Sequence, residues 1–281
     1  MKKFLFVLIF LIPGYSFSQE YEDFDDYQPN TIYSIGTIVK YKNHLWVSTA
    51  NRVSVPTSGI GWNQVILTGI KEYNDDPRSV EHRQKMDRFY YVGNSVKYHN
   101  QYFTLVKPCE SLIPRGDSEF HDFWKPFSHP GIGFDIPIFD PDSDEAKSLL
   151  GVDTNDNGIR DDFEIKIIMG DLAEPVKHTS LSAGYIYGKL MSSGVSQTQM
   201  SGQQANQLMS ALVSVKQCKS DLSRQSSFGK SWRSTFFYNT KERHKAKFKF
   251  QNRVYRRITT KIFSAAIHNA CDRVNTYKEN N

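Results

Sequence analysis

A run of oxygen-bearing side chains near the middle of the chain has the spacing that a hard cation requires. In the twelve residues from Asp153 to Glu164, such side chains fall at positions 1, 3, 5, 9 and 12, and Gly158 stands at position 6. Alternate spacing turns these groups toward one centre, and glycine permits the sharp turn. The expected ligands are the side chains of Asp153, Asn155, Asn157, Asp161 and Glu164 and the backbone carbonyl of Ile159. We therefore predict a structural Ca²⁺ site.

The alternative is an acidic turn that caps a helix, with Asp161 or Asp162 at the helix N-terminus. An EF-hand usually has its apolar residue at position 8, whereas Ile159 stands at position 7. The segment 156–162 more closely resembles the solitary calcium loops of secreted bacterial proteins, such as dockerin-like or thrombospondin-type-3 segments. Helices are predicted on both sides, at 145–150 and 163–168. We expect the ion to have a structural role, because the loop joins the β-rich half of the chain to the helical half.

A short internal repeat precedes this loop. The fourteen residues from Tyr33 to Trp46 recur without a gap from Tyr90 to Phe103. The matched pairs are Tyr33 and Tyr90, Gly36 and Gly93, Val39 and Val96, Lys40 and Lys97, Tyr41 and Tyr98, Asn43 and Asn100, and Trp46 and Phe103. A proline and then a tryptophan follow each copy, namely Pro56 and Trp62, and Pro114 and Trp124. Such a repeat indicates a duplicated unit.

Each copy predicts a three-stranded antiparallel β-module. Val39 and Tyr41 alternate with polar residues, as in a strand with one buried face, and the second copy has the same alternation. Asn43 and Asn100 end two-residue turns, and asparagine tolerates positive φ. In units of about 40 residues the aromatic side chains must supply most of the burial.

The repeated pattern resembles the short chitin- and cellulose-binding modules of carbohydrate-binding families 5 and 12. The resemblance covers modules at 27–68 and 84–128 and implies binding of chitin or a related polysaccharide on aromatic side chains. The residues implied in carbohydrate binding are Tyr27, Tyr33, Trp46, Trp62, Tyr90, Tyr102 and Trp124. Before its first tyrosine the first copy has the aromatic Tyr27, whereas the second has Gln84. The alternative is that the matching tyrosines and tryptophans form the core of each module.

Catalytic signatures are absent from the sequence. The chain has no Gly-x-Ser-x-Gly, Walker or His-Glu-x-x-His pattern. Chitinases that carry similar modules use an aspartate cluster that ends in a catalytic glutamate, and the acidic run 140–145 lacks that spacing. A secreted carbohydrate-binding protein without its own catalytic domain is therefore the first hypothesis. The alternative is an envelope or extracellular interaction protein whose β-modules are scaffolding and whose basic helical domain contacts an anionic partner. A small O-glycosyl hydrolase in the C-terminal half is a third and weaker hypothesis.

The C-terminal part has helical periodicity. One helix is expected around Leu181 to Leu190, a second ends near Cys218, and a long third one runs from Phe250 to Cys271. The region from Ser192 to Gln204 is expected to be a loop. Of three cysteines, Cys218 and Cys271 are predicted to form a disulfide, which leaves Cys109 free or buried.

Charge is distributed unevenly along the chain. Residues 19–164 carry 24 acidic and 14 basic side chains, and residues 216–281 carry 4 acidic and 16 basic ones. The basic cluster between Lys241 and Lys261 fits an anionic envelope component such as a phospholipid surface. The alternative is a solvated helix face that meets the acidic N-terminal half. Without a nucleic-acid motif, we expect no nucleic-acid partner.

The N-terminus fits a cleaved signal peptide over residues 1–18. Lys2 and Lys3 precede an apolar run from Phe4 to Ile12, which is too short to span a bilayer, and we expect no transmembrane segment. The mature chain is predicted to be secreted or periplasmic. The expected fold is α+β and multidomain, with two β-modules, a linker with the calcium loop at 129–170, and a basic, disulfide-linked α-helical domain at 171–281.

Overall fold

The computed structural model describes residues 24–51, 54–73, 90–108, 122–196, 200–225, 230–259 and 269–278. The predicted signal peptide, Gln84, Cys109 and Pro114 lie outside these described residues. The described chain is a mixed α+β structure in which two small sheets precede seven α-helices. The α+β class is therefore confirmed.

The first sheet has three antiparallel strands in the order β1-β2-β3. β1 spans Ile38–Tyr41, β2 spans His44–Ser48 and β3 spans Trp62–Gln64. Between β1 and β2, Lys42 and Asn43 have φ values of 50° and 65°. A two-residue turn with positive φ at both positions matches the twist of paired strands. The three-stranded sheet and its hairpin are as predicted.

The second sheet has four strands in the order β4-β5-β6-β7. These are β4 (Lys71–Glu72), β5 (Ser95–Tyr98), β6 (Gln101–Leu105) and β7 (Trp124–Phe127). His99 and Asn100 form the β5–β6 turn with φ values of 46° and 63°. The prediction of three strands is wrong here, because β4 adds a parallel strand to the edge of β5. Pairing with β4 satisfies backbone groups that an open edge would expose.

The likeness of the two sheets extends to this added strand. Glu72 pairs with Lys97 in parallel, and Asp26 forms a single parallel bridge with Lys40 in the first sheet. Because Lys40 and Lys97 are equivalent in the repeat, Asp26 is the counterpart of Glu72. Both copies thus begin with a short parallel segment ahead of the repeat that the sequence shows.

A tyrosine follows this segment in both copies. Tyr27 packs edge-on against Tyr41 with ring centroids 5.3 Å apart, and Tyr73 packs in the same way against Tyr98 at 6.0 Å. The structural counterpart of Tyr27 is therefore Tyr73 and not Gln84. The interval from Tyr73 to the repeat is longer than the one after Tyr27, and this difference in length obscures the match in the sequence.

Each sheet has two apolar faces, because its strands alternate between two cores. One face carries an aromatic cluster of its own; the buried members are Tyr27, Val39, Trp46 and Trp62 in the first sheet, and Val96, Phe103, Leu105 and Trp124 in the second. The other faces meet in one shared core of Ile38, Leu45, Val47, Val65, Leu67, Val106, Phe127, Phe134, Ile136 and Ile168. Residues 134–136, expected to lie in a linker, thus pack between the sheets and the helical part.

The helices are α1 (Asp144–Lys147), α2 (Asp161–Ile168), α3 (Glu174–Val195), α4 (Gly202–Arg224), α5 (Ser234–Phe237), α6 (Lys241–Tyr255) and α7 (Ala270–Asn275). The loop expected from Ser192 to Gln204 is shorter, because α3 continues to Val195. The Ser201 hydroxyl accepts from the Gln204 backbone, and the Gln204 side chain accepts from the Ser201 N–H. This capping box begins α4 at Gly202.

The third predicted helix is wrong in its length. It ends at Tyr255, and a separate short helix, α7, carries Cys271. The Thr259 N–H donates to the Asn206 side chain at 3.0 Å, and the Asn206 amide donates to the Thr259 hydroxyl at 2.8 Å. These contacts with the start of α4 hold Ile258 and Thr259 in a non-helical conformation.

Cys218 and Cys271 form the predicted disulfide and so join α4 to α7. Both helices pack with α3 around a buried core that includes Leu190, Val215 and Trp232. Across the described segments, no helix is both long and apolar enough to cross a lipid bilayer.

Candidate functional site

Four of the aromatic side chains proposed to bind sugar lie inside the protein. Tyr27, Trp46, Trp62 and Trp124 are only 1–9% exposed. Each small sheet has few other large side chains with which to form a core, so these rings are needed inside. A sugar ring cannot stack on these buried rings. Their position agrees with the alternative expectation, that they form the cores of the two copies.

The other three predicted aromatics are half-buried. Tyr33 and Tyr90 occupy equivalent places, with their rings edge-on to Trp62 and Trp124 at 5.3 and 5.4 Å. Tyr102 packs against Phe127 with ring centroids 6.2 Å apart. These contacts make the three tyrosines packing residues at the margins of the cores.

A groove beside β4 and β5 has a more suitable surface for a ligand. Its volume is about 420 Å³. Tyr91 and Ile66 contribute exposed apolar side chains, 69% and 46% exposed. The other residues that line the groove are Thr68, Gly69, Lys71, Glu72, Tyr90, Asn94, Ser95 and Val96. An aromatic ring with polar groups around it is the usual composition of a small-ligand site.

The loop between Tyr90 and β5 positions the Tyr91 ring. Because Tyr90 is packed on Trp124, the next side chain is left on the surface. The Tyr91 N–H donates to the Asn94 side chain at 2.9 Å, and the Asn94 N–H donates to the Tyr91 carbonyl at 2.8 Å. These paired bonds fix the loop that carries the ring.

Gly93 brings this loop against the first sheet. Its φ is 94°, and a Cβ at this position would lie 2.5 Å from the Gln64 carbonyl oxygen. The Ile66 N–H donates to the Gly93 carbonyl at 2.9 Å, which places Ile66 beside the loop. The groove therefore forms where the two copies meet, so neither copy alone would contain it.

Charged groups of both signs lie at the groove. Glu72 forms an ion pair with Lys97 at 3.4 Å, and Lys71 is exposed next to it. Carboxylate and ammonium groups are suitable partners for sugar hydroxyls. Tyr91 was not among the predicted binding residues. The repeat contained a signal for it, since Tyr91 aligns with Ser34 and is an additional aromatic residue of the second copy.

The predicted cation loop turns its carboxylates inward. Asp153 accepts from the Asn157 and Gly158 N–H groups at 3.1 and 2.8 Å, and Asp161 accepts from the Thr154 N–H at 3.0 Å. Gly158 has a φ of 84°, as expected for the glycine of such a turn. Asp161 and Asp162 lie in the first turn of α2, as the alternative expects, but Arg160 is the N-cap and no side chain caps the helix.

Glu164 brings a buried carboxyl group into this loop. Glu164 is only 4% exposed. Its carboxylate accepts hydrogen bonds from the Asn157 amide at 2.9 and 3.0 Å and from the Asn155 amide at 3.4 Å. Burial raises the pKa of the Glu164 carboxyl to about 7. No ion pair joins Glu164 to a basic side chain in the described residues.

The described part of the chain brings together no group of three or more acidic, histidine or cysteine side chains that could hold a metal ion. In this loop the amide oxygens of Asn155 and Asn157 and the carbonyl of Ile159 would complete the ligand set. Oxygen donors of these types fit Ca²⁺. The residues therefore fit the ion by chemical type, although the amide N–H groups now face Glu164.

A buried arginine holds the chain ahead of the loop to α6. Arg243, 2% exposed, donates to the Ala146, Ser148 and Leu149 carbonyls at 2.8, 2.6 and 3.3 Å. It also lies 3.4 Å from the Asp162 carboxylate. The two flanks of the cation loop are thus tied to one guanidinium group.

Comparison of the chain with protein-family models, with curated proteins and with solved structures finds no match. The resemblance of the repeat to carbohydrate-binding modules therefore depends on the repeated residues themselves.

Proposed function

We propose that this chain is a secreted carbohydrate-binding protein and that it holds chitin or a related polysaccharide in the groove of Tyr91. The observation that carries the proposal is the exposed ring of Tyr91 beside the half-buried Tyr90 and the polar rim of β4. A pyranose ring stacks on an aromatic face through its C–H groups, and its hydroxyls need hydrogen-bonding partners at the edge. Thr68, Glu72 and Asn94 supply such partners.

The test is retention of the protein on chitin, on cellulose and on peptidoglycan sacculi, at low and at high salt. Stacking is insensitive to salt, so retention on at least one polymer should persist at high salt. Tyr91→Ala should reduce this retention about tenfold, and Tyr91→Phe should preserve it, because the phenyl ring still stacks.

Ile32→Ala is the matched control, because Ile32 is an exposed apolar residue of the first copy and lies outside the groove. Retention that high salt abolishes, or that Tyr91→Ala leaves unchanged, would refute binding at this groove.

We also propose that the loop from Asp153 to Glu164 binds Ca²⁺ in a structural role. The observation that favours this is the buried Glu164 carboxylate, which no basic side chain neutralises among the described residues. A bound divalent ion would compensate this charge and stabilise the loop. The melting temperature should therefore be higher with millimolar Ca²⁺ than with excess EGTA, and identical melting curves would refute the site.

A further inference from the structure

Helix α6 presents an outer face on which basic and aromatic side chains are combined. Phe248 and Tyr255 are 53% and 61% exposed. They are seven residues apart and so lie on the same side of the helix, about 10 Å apart along its axis. The exposed cations of this face are Lys241, Lys245, Lys249 and Arg256. We call this set of six residues the α6 outer face.

The position of α6 is fixed by its opposite side. Ala246, Phe250 and Val254 are buried in the helical core, where Phe250 packs directly against Gly194. The apolar stripe that stabilises the helix is therefore used within the protein. Phe248 and Tyr255 are additional aromatic residues that the core does not require.

The charge of this face is not balanced by ion pairs with the described residues of the acidic half. Arg243 is the α6 residue that pairs with an acid, Asp162, and it lies on the buried side. Within the described residues, none of the four cations of the α6 outer face forms an ion pair. Lys247, next to the face, lies close enough to Lys219 for their like charges to oppose each other. The surface therefore favours an anionic partner.

The shape of the face decides among anionic partners. The Tyr91 groove is lined by residues of the β-sheet part, whereas the α6 outer face lies on the convex outer side of a helix. A sugar chain or a peptide binds in a concave site, where it can bury most of its surface. A lipid surface, by contrast, adapts to a convex helix. Aromatic rings prefer the headgroup layer, and each nearby lysine or arginine contributes about 1 kcal/mol of attraction to anionic lipid.

We propose that the α6 outer face binds the surface of an anionic phospholipid membrane. Phe248 and Tyr255 enter the headgroup layer, and Lys241, Lys245, Lys249 and Arg256 contact the lipid phosphates. No residue of this face lines the Tyr91 groove, so this inference does not depend on the glycan-binding proposal.

The test is co-sedimentation of the mature protein with vesicles. Vesicles that contain phosphatidylglycerol should bind the protein, vesicles of pure phosphatidylcholine should not, and added salt should weaken binding. Lys245→Glu with Lys249→Glu should weaken binding at least about 30-fold, the equivalent of two lost lysines. Lys189→Glu with Arg273→Glu makes the same change in net charge on α3 and α7 and should have little effect.

A second variant reports directly on insertion. Phe248→Trp should give a fluorescence spectrum that shifts to the blue when phosphatidylglycerol vesicles are added, because the indole leaves water. Equal binding to phosphatidylcholine, an equal loss in both charge-reversal pairs, or an unshifted spectrum would each overturn the proposal. Binding to heparin without binding to vesicles would also overturn it, in favour of a soluble polyanion.

Discussion

At the scale of single residues, burial decides which of the chemically suitable side chains can act. Trp124 and Tyr91 both have rings that could stack on a sugar, but only the Tyr91 ring is exposed. The sequence alone could reveal the types of residue in the repeat, because aromatic residues at matching positions are visible without coordinates. It could not separate the two roles, because the same aromatic pattern serves a core and a binding surface.

Glu164→Gln tests the role of the buried carboxylate. The substitution preserves the shape of the side chain and removes a buried charge, so in EGTA the variant should melt no lower than the natural protein. Added Ca²⁺ should raise the melting temperature of the natural protein and leave that of the variant unchanged. A variant that Ca²⁺ stabilises equally would show that Glu164 is not a ligand, and Glu174→Gln, at an exposed glutamate of α3, is the control.

Arg243→Ala should be strongly destabilising. The guanidinium donates to three backbone carbonyls and contacts Asp162, so its loss leaves buried acceptors and a carboxylate without their partner. The expected loss is about 3–5 kcal/mol, measured by urea unfolding. Arg233→Ala, at an exposed arginine, is the control; a loss below 1 kcal/mol for Arg243→Ala would contradict the assigned role.

At the scale of elements, local signals predicted the structure where local contacts determine it. Both hairpins have the two-residue turns that Asn43 and Asn100 indicate. Strand β4 was missed because two residues carry no periodicity and pair with a strand more than twenty residues further along. The end of α6 was missed because the apolar spacing continues past Tyr255, whereas contacts between Thr259 and Asn206 determine the backbone there.

Among the helices, α7 should depend most on the disulfide for its stability. A helix of six residues is not stable alone, and Cys271 ties it to α4 across a sequence separation of 53. Cys218→Ser with Cys271→Ser should lower the free energy of unfolding by about 3–4 kcal/mol. Protection of the α7 amides in hydrogen exchange should fall more than that of α3, and an equal fall in both helices would contradict this local role.

At the scale of the whole molecule, two buried histidines lie between the first sheet and the segment that follows the second. His44 begins β2, and His129 follows β7. The pKa of His129 is lowered to about 4, first by burial and then by the nearby His44, and burial also lowers the pKa of His44. The folded protein therefore keeps His129 neutral where the unfolded chain would bind a proton.

This difference predicts that His129 contributes to a loss of stability in acid. A folded-state pKa below the unfolded value means that the unfolded chain binds more protons between about pH 6.5 and pH 4. The contribution of His129 to the free energy of unfolding should therefore fall as pH decreases through this window, whereas the raised pKa of Glu164 acts in the opposite direction. The free energy of unfolding of the natural protein should thus fall relative to that of His129→Gln as pH decreases. His99→Asn, in an exposed turn, is the control, and an unaltered pH dependence in His129→Gln would exclude His129 as the cause.

The shared core has a consequence for how this protein could have evolved and how it can be engineered. A free-standing binding domain can be moved from one protein to another because it closes its core by itself. Here the inner faces of both sheets are covered by each other, by Phe134 and by Ile168 of α2. A fragment that ended after the second sheet would expose Leu45, Val47 and Phe127 to water and would be prone to aggregation. Neither copy of the repeat therefore closes its core by itself, and any fusion tag made from the repeat must extend through α2.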